Sequence, residues 1–120
     1  MTSTNWVSWV ISCECSPSDY DAISALAKEM SDYFWANEAD TTHFEWSVTD
    51  DKNQIHIHER YANSSQAMNH MQAFGDHFGT RFMALLKPTT VVVYGFPSDE
   101  LKTALTGLAP IFTTTFAGFN

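Results

Sequence analysis

Basic residues are scarce in this sequence. Lysine and arginine total 6 against 14 aspartates and glutamates, which gives a formal net charge of −8. The six cations are scattered along the chain, so they form no cluster of positive charge in the sequence. Binding to nucleic acid or to an anionic membrane requires such a cluster. We therefore expect neither nucleic acid nor a membrane among the partners of this protein.

Cysteine is also sparse, and long apolar runs are absent. The two cysteines, Cys13 and Cys15, would share one face of a strand, where a bridge between them would be strained. Two buried thiols in a reducing compartment are the simpler interpretation. No segment has the length of a membrane span, and the N-terminus lacks the basic start and apolar core of a signal peptide. We expect a cytoplasmic protein whose residues 1–120 form a single domain.

Aromatic residues, in contrast, are abundant. The sequence has nine phenylalanines, four tyrosines and four tryptophans. In so short a chain, this content indicates either a demanding core or a pocket with flat apolar walls.

Hydrophobic periodicity predicts an α+β fold. Helices are predicted over 17–36, from 63 to just before Pro88 with a break near Gly75 and Gly79, and over 98–108. Strands are predicted over 6–15, 42–49, 54–62 and 89–96, and the C-terminal tail has strand character. This order matches the ferredoxin-like split βαβ plan, an antiparallel sheet with the main helices on one face. The bare face needs a cover, and a second copy of the sheet predicts a homodimer.

Three stretches resemble the antibiotic biosynthesis monooxygenase superfamily. The run ERYANSSQAMNH (59–70) resembles its strand-to-helix segment, while residues 74–101 and 108–119 look like a quinol-monooxygenase-like subgroup. The resemblance covers residues 6–119 and implies a dimeric α+β barrel, in which two ferredoxin-like protomers join sheet to sheet. Members with known roles oxidise phenolic or quinol substrates with O₂ and need no metal or flavin cofactor.

The segment QIHIHERY (54–61) carries two histidines on one strand face. His56 and His58 can reach one metal ion, with His43 or Glu45 on the neighbouring strand as a third ligand. Arg60 shares that face and disfavours a cation there. We therefore favour a polar surface that faces solvent or a second copy, and keep a His-ligated metal enzyme as an alternative.

The opposite face of the same strand places a carboxylate among apolar residues. Glu59 and Tyr61 project beside Ile55 and Ile57, and His70 lies on the following helix. We predict Glu59 and His70 as the candidate catalytic pair, because a carboxylate and an imidazole beside an apolar slot can take a proton from a bound ligand. A purely structural Glu59–His70 contact is the alternative. The residues predicted to contact the ligand are Trp9, Trp46, Tyr61, Phe74, His77, Phe78 and Tyr94.

The leading hypothesis is a cofactor-independent monooxygenase that acts on a small phenolic or quinol-type aromatic molecule. His70 or Glu59 would remove the phenolic proton, and the resulting anion would pass an electron to O₂. A non-catalytic dimer that binds a small ligand or serves a stress response is the alternative on the same fold.

Overall fold

The computed structural model describes residues 5–119, so the N-terminal residues 1–4 and Asn120 of the predicted domain lie outside the described residues. The strands are β1 (Val7–Glu14), β2 (Thr41–Val48), β3 (Gln54–Tyr61), β4 (Lys87–Gly95) and β5 (Ile111–Phe112). The α-helices are α1 (Tyr20–Asn37), α2 (Ser64–His77), α3 (Gly79–Leu85) and α4 (Asp99–Leu105). Two 3₁₀ turns, Pro17–Asp19 and Thr106–Leu108, precede α1 and follow α4.

The sheet has the strand order β2-β3-β1-β4-β5. Its first four strands are antiparallel, as the predicted ferredoxin-like plan requires, and the α+β class is confirmed. The short β5 adds one parallel pair to the edge of β4, so the sheet as a whole is mixed. The strand character of the C-terminal tail is confined to these two residues.

Local sequence signals explain where α2 begins and where it ends. The side chain of Asn63 accepts a hydrogen bond from the backbone N–H of Gln66 (2.9 Å), so Asn63 caps the start of α2. The helical path breaks at Phe78, which confirms the predicted break between Gly75 and Gly79. Residues 17–19, predicted as the first turn of a longer helix, form the 3₁₀ turn instead.

Strand register decides which side chains face the helices. Glu59 of β3 lies opposite Trp9 on one neighbouring strand and opposite Phe44 on the other. Ile55, Ile57, Glu59 and Tyr61 are all buried, so the predicted apolar side of the hairpin is the side that the helices cover. The register therefore places one carboxylate in the middle of the helix–sheet interface.

The other sheet face carries no helix. His58 and Arg60 project there beside Val10 of β1, and the Arg60 guanidinium lies over the Trp6 ring at 4.2 Å from its centroid. We call this the open face. Among residues 5–119, none of the helices has both the length and the apolar character needed to cross a bilayer.

Candidate functional site

His70 and Glu59 are the buried ionisable pair at the centre of the site. Their exposed fractions are 3% and 5%. The Nδ1 atom of His70 lies 2.8 Å from Oε1 of Glu38, and its Nε2 atom lies 3.0 Å from Oε1 of Glu59. One imidazole ring thus bridges two carboxylates, one from the end of α1 and one from β3.

Tyr61 also belongs to this network, through a hydrogen bond to Glu59. Its hydroxyl donates a hydrogen bond of 2.5 Å to Oε1 of Glu59. Burial raises the pKa of Tyr61 well above its usual value, and the neighbouring charge and hydrogen bond of Glu59 raise it further. Tyr61 therefore keeps its proton and acts as a fixed donor to Glu59.

The two carboxylates decide the charge of His70. Burial alone lowers the pKa of this imidazole, but the hydrogen bonds and negative charges of Glu38 and Glu59 outweigh burial and raise the pKa to about 9. His70 is therefore an imidazolium at neutral pH and donates from both ring nitrogens. With both carboxylates ionised, the network Glu38–His70–Glu59 carries a net charge of −1.

Glu38 is the member of the network that sequence reasoning missed. It stands at the C-terminal end of α1 and accepts a second hydrogen bond from the Thr41 hydroxyl (2.7 Å). A carboxylate is unfavourable at a helix C-terminus, because the helix dipole is negative there. The position of this carboxylate at a helix C-terminus is the one sequence signal that points to a role for Glu38. Since 32 residues separate Glu38 from His70, no local pattern links the two.

A cavity of about 410 Å³ lies beside the network. Glu59 and His70 are its ionisable lining groups, and its walls include Trp9, Phe74 and Phe82. Its volume falls within the range of small-molecule sites, which are mostly apolar with a few placed polar groups. The arrangement can hold a hydrophobic molecule and present one polar end to a carboxylate and an imidazolium.

Two of the seven predicted ligand contacts line this cavity, and five lie elsewhere. Trp9 and Phe74 form part of its wall. Tyr61 is fully buried behind Glu59 and does not reach the cavity. Trp46 and Phe78 pack in the core around α1 and α3, because the break after α2 turns Phe78 toward Phe34.

His77 and Tyr94, two further residues predicted to contact the ligand, lie outside the cavity. The His77 side chain is exposed and packs against the Tyr33 ring at a centroid distance of 5.0 Å. Tyr94 is 39% exposed on the open face, since Val91 and Val93 take the inward positions of β4. Phe44, Phe82 and Leu105 line the cavity but were absent from the predicted contacts.

The histidines of β3 lack the third ligand that a metal site needs. Within residues 5–119, no group of three or more histidine, cysteine, aspartate or glutamate side chains is arranged to hold a metal ion. His43 lies 4.0 Å from Glu45, and both side chains are about half exposed. The guanidinium of Arg60, on the same face, lies over the Trp6 ring.

Both cysteines are free thiols. Cys13 is buried, as predicted, and burial raises the pKa of its thiol to about 12, so it is unreactive. Cys15 is only half-buried, in contrast to the prediction, because it follows the end of β1. Its thiol donates to the backbone carbonyl of Lys52 at 3.4 Å.

The sequence matches no protein-family model and no curated protein. Solved structures do match. MupZ from Pseudomonas fluorescens is similar over 97% of this chain and 94% of its own, with a TM-score of 0.86 and 18% identity. Because identity is so low, the likeness shows a shared fold.

Two proteins described as putative monooxygenases share the fold over a smaller part of the chain. The first, from Nitrosomonas europaea, is described as a putative antibiotic biosynthesis monooxygenase. It has a TM-score of 0.68 and 13% identity over 79% of this chain and 93% of its own. The other, from Lactobacillus acidophilus, has a TM-score of 0.64 and 18% identity over 77% of this chain and 44% of its own. The present chain therefore has the fold of proteins named as antibiotic biosynthesis monooxygenases.

Proposed function

From this shared fold and from the His70 network, we propose that the protein is a cofactor-independent monooxygenase acting on a neutral phenolic or quinol-type molecule. The observation that carries the proposal is an imidazolium held between two carboxylates at the wall of an apolar cavity. Such a site can take a proton from a hydroxyl group and stabilise the anion that remains.

Glu59 is the proton acceptor in this mechanism. His70 carries a proton at neutral pH, since its pKa is about 9, and it cannot accept another. The contacts from Tyr61 and His70 both reach Oε1 of Glu59. We therefore assign the substrate proton to the other carboxylate oxygen, Oε2. Of the two alternatives predicted from sequence, His70 or Glu59, we therefore propose Glu59 as the proton acceptor.

His70 stabilises the phenolate that this transfer produces. In a cavity with few polar groups, an imidazolium attracts an adjacent anion more strongly than it would in water. The electron-rich anion gives one electron to O₂, and the two radicals combine to form a carbon–oxygen bond. The resulting peroxide takes the proton held by Glu59. Loss of the ring C–H proton then forms the second carbonyl as the O–O bond breaks and expels hydroxide, and the proton and hydroxide combine as water. The sum is phenol plus O₂ giving quinone plus water, with both oxygen atoms accounted for.

Glu59→Gln should lower the rate of oxygen consumption about 100- to 10,000-fold, because the amide cannot accept the proton. The assay is an oxygen electrode with metal-free protein and a panel of quinols and anthrones. His77→Gln is the matched control, since this exposed residue lies outside the cavity. In the wild type, kcat/KM should fall as pH rises through about 9 and His70 loses its proton.

Two results would count against the mechanism. Wild-type protein that consumes no oxygen above background with any panel member, and shows no ligand-induced rise in melting temperature, excludes the proposed function. Kinetics that rise rather than fall through pH 9 would make neutral His70 the base. A melting shift without oxygen uptake would instead support a binding protein on the same fold.

We also propose a cytoplasmic homodimer that joins two open faces. Val10 and Trp6 are only partly buried there, and two free thiols suit a reducing compartment. Val10 lies on the central part of this face between His58 and Val92. Val10→Glu should convert the dimer to a monomer in light scattering coupled to size exclusion, while Ser47→Glu near the strand end should not. A wild type that elutes as a monomer at micromolar concentration would contradict the proposal.

A further inference from the structure

The cavity has a buried polar end and an exposed apolar end. Glu59 and His70 line it at exposed fractions of 5% and 3%, whereas Met83 of α3 and Leu108 of the turn after α4 line it at 60% and 45%. The cavity therefore runs from the ionisable network to an opening between α3 and the Thr106–Leu108 turn. We call the residues Met83, Ala104, Gly107 and Leu108 the rim, because all four line the cavity and are exposed.

The rim is free of charge and leaves room between its side chains. Its members are apolar or glycine, and a Cβ atom built on Gly107 would meet nothing within 4 Å. Single exposed apolar residues are ordinary on a protein surface. Here they surround the mouth of one cavity, and the flexible Met83 side chain can adapt to the shape of a guest.

The charge of the polar end restricts what the cavity accepts. The network at this end holds two carboxyl groups and one imidazole, and neither Lys nor Arg lines the cavity among the described residues. A carboxylate or phosphate brought to this end would add a second buried negative charge without a counterion, which is costly. The group that binds beside Glu59 is therefore neutral.

We infer that the ligand is an elongated neutral amphiphile, whose hydroxylated aromatic head lies beside Glu59 and His70 and whose apolar chain leaves across the rim. The chemistry of the head rests on the proposed function. The chain and its exit rest on the cavity and the rim alone, so they hold for a ligand that is bound and for one that is converted.

Binding of 4-alkylphenols to the full chain tests this inference. Dissociation constants are measured by isothermal titration calorimetry for phenol and its 4-butyl and 4-octyl derivatives. Affinity should increase about fourfold for each methylene that the cavity buries, as about 0.8 kcal/mol per methylene implies. Octanoate, which pairs a similar chain with an anionic head, should bind at least about tenfold more weakly than 4-octylphenol, a difference of 1.4 kcal/mol or more.

Gly107→Phe provides the decisive variant, because a new side chain fits in the open space at the rim. It should reduce the affinity for 4-octylphenol at least about tenfold and leave the affinity for unsubstituted phenol unchanged. Gly75→Phe is the matched control: a Cβ there also meets nothing within 4 Å, and Gly75 does not line the cavity. Met83→Ser is a second rim variant, and it should weaken 4-octylphenol more than phenol.

The outcomes separate this inference from the proposed function. Chain-length-dependent affinity that Gly107→Phe abolishes supports the inference even where no oxygen is consumed, in which case only the proposed function fails. Oxygen uptake with short quinols, but no gain in affinity with chain length, overturns the inference and leaves the function standing. Octanoate that binds as tightly as 4-octylphenol overturns the requirement for a neutral head.

Discussion

Replacing His70 by leucine should destabilise the protein by about 3–5 kcal/mol at pH 7, because it removes the cation between the buried carboxylate of Glu59 and the partly buried carboxylate of Glu38. Neither carboxylate would then have the imidazolium as its counterion. The loss is a large fraction of the 5–15 kcal/mol that a typical domain has in total. Urea unfolding monitored by tryptophan fluorescence measures it directly.

The triple variant Glu38→Gln, His70→Leu and Glu59→Gln is the matched control for this prediction. It removes both anions together with the cation, so it should recover most of the lost stability. A single His70→Leu variant whose free energy of unfolding falls by less than about 1 kcal/mol, the range typical of an exposed ion pair, would contradict the prediction. That outcome would mean that water reaches the network and screens it.

The stability of the wild-type protein should depend on pH because of the same interaction between His70 and the two carboxylates. The pKa of His70 is about 9 in the folded state against an ordinary value of 6.5, so folding favours the protonated form. This stabilisation is complete below pH 6.5, declines as pH rises, and is lost once pH passes 9. Its size is on the order of 3 kcal/mol. His70→Leu should lack this decline between pH 6.5 and 9.

Gly95→Ala should cost on the order of 3 kcal/mol of stability, since its backbone and its surroundings both require glycine. Gly95 ends β4 with φ = +87°, and an added Cβ would lie 2.6 Å from the Trp6 carbonyl oxygen. That oxygen also accepts the backbone hydrogen bond of Phe96 at 2.9 Å, so it cannot move away freely. Thermal and urea unfolding provide the measurement.

Gly75→Ala is the natural comparison for Gly95→Ala. Gly75 lies within α2, and an added Cβ meets no atom within 4 Å. Alanine is the better helix former, so this change should stabilise the protein by about 0.5–1 kcal/mol. Equal effects at the two positions would show that the strand exit at Gly95 tolerates a side chain and that the Trp6 contact is not restrictive.

Much of the fold was accessible from sequence because its signals are local. The alternation in β2 and β3 repeats every two residues, so it predicts that Glu59 lies on the apolar side of the β2–β3 hairpin. Asn63 was readable as a helix cap because the bond that it makes spans only three residues. The order of strands and helices then sufficed for the ferredoxin-like plan.

The candidate site was only partly predictable, for reasons visible in particular residues. The run VVVY (91–94) of β4 is apolar at successive positions, so no alternation shows that Tyr94 points to the open face. The break at Phe78 interrupts the helical phase, so Phe78 packs in the core rather than on the cavity wall. His77 is the last residue of α2, and its side chain is exposed. The contribution of Leu105 to the cavity depends on how α4 packs, which no local pattern records.

The sequence by itself determined the class of fold and the placement of Glu59 on the apolar side of the β2–β3 hairpin, since backbone periodicity is a property of neighbours in the chain. Only the tertiary structure decided which face of the sheet the helices cover and what charge the His70 imidazole carries. Glu38 comes from the end of another helix to within 2.8 Å of His70, and the pKa of His70 depends on that distance and on burial. Electrostatic energy depends on separation in space, which is set by packing rather than by sequence order.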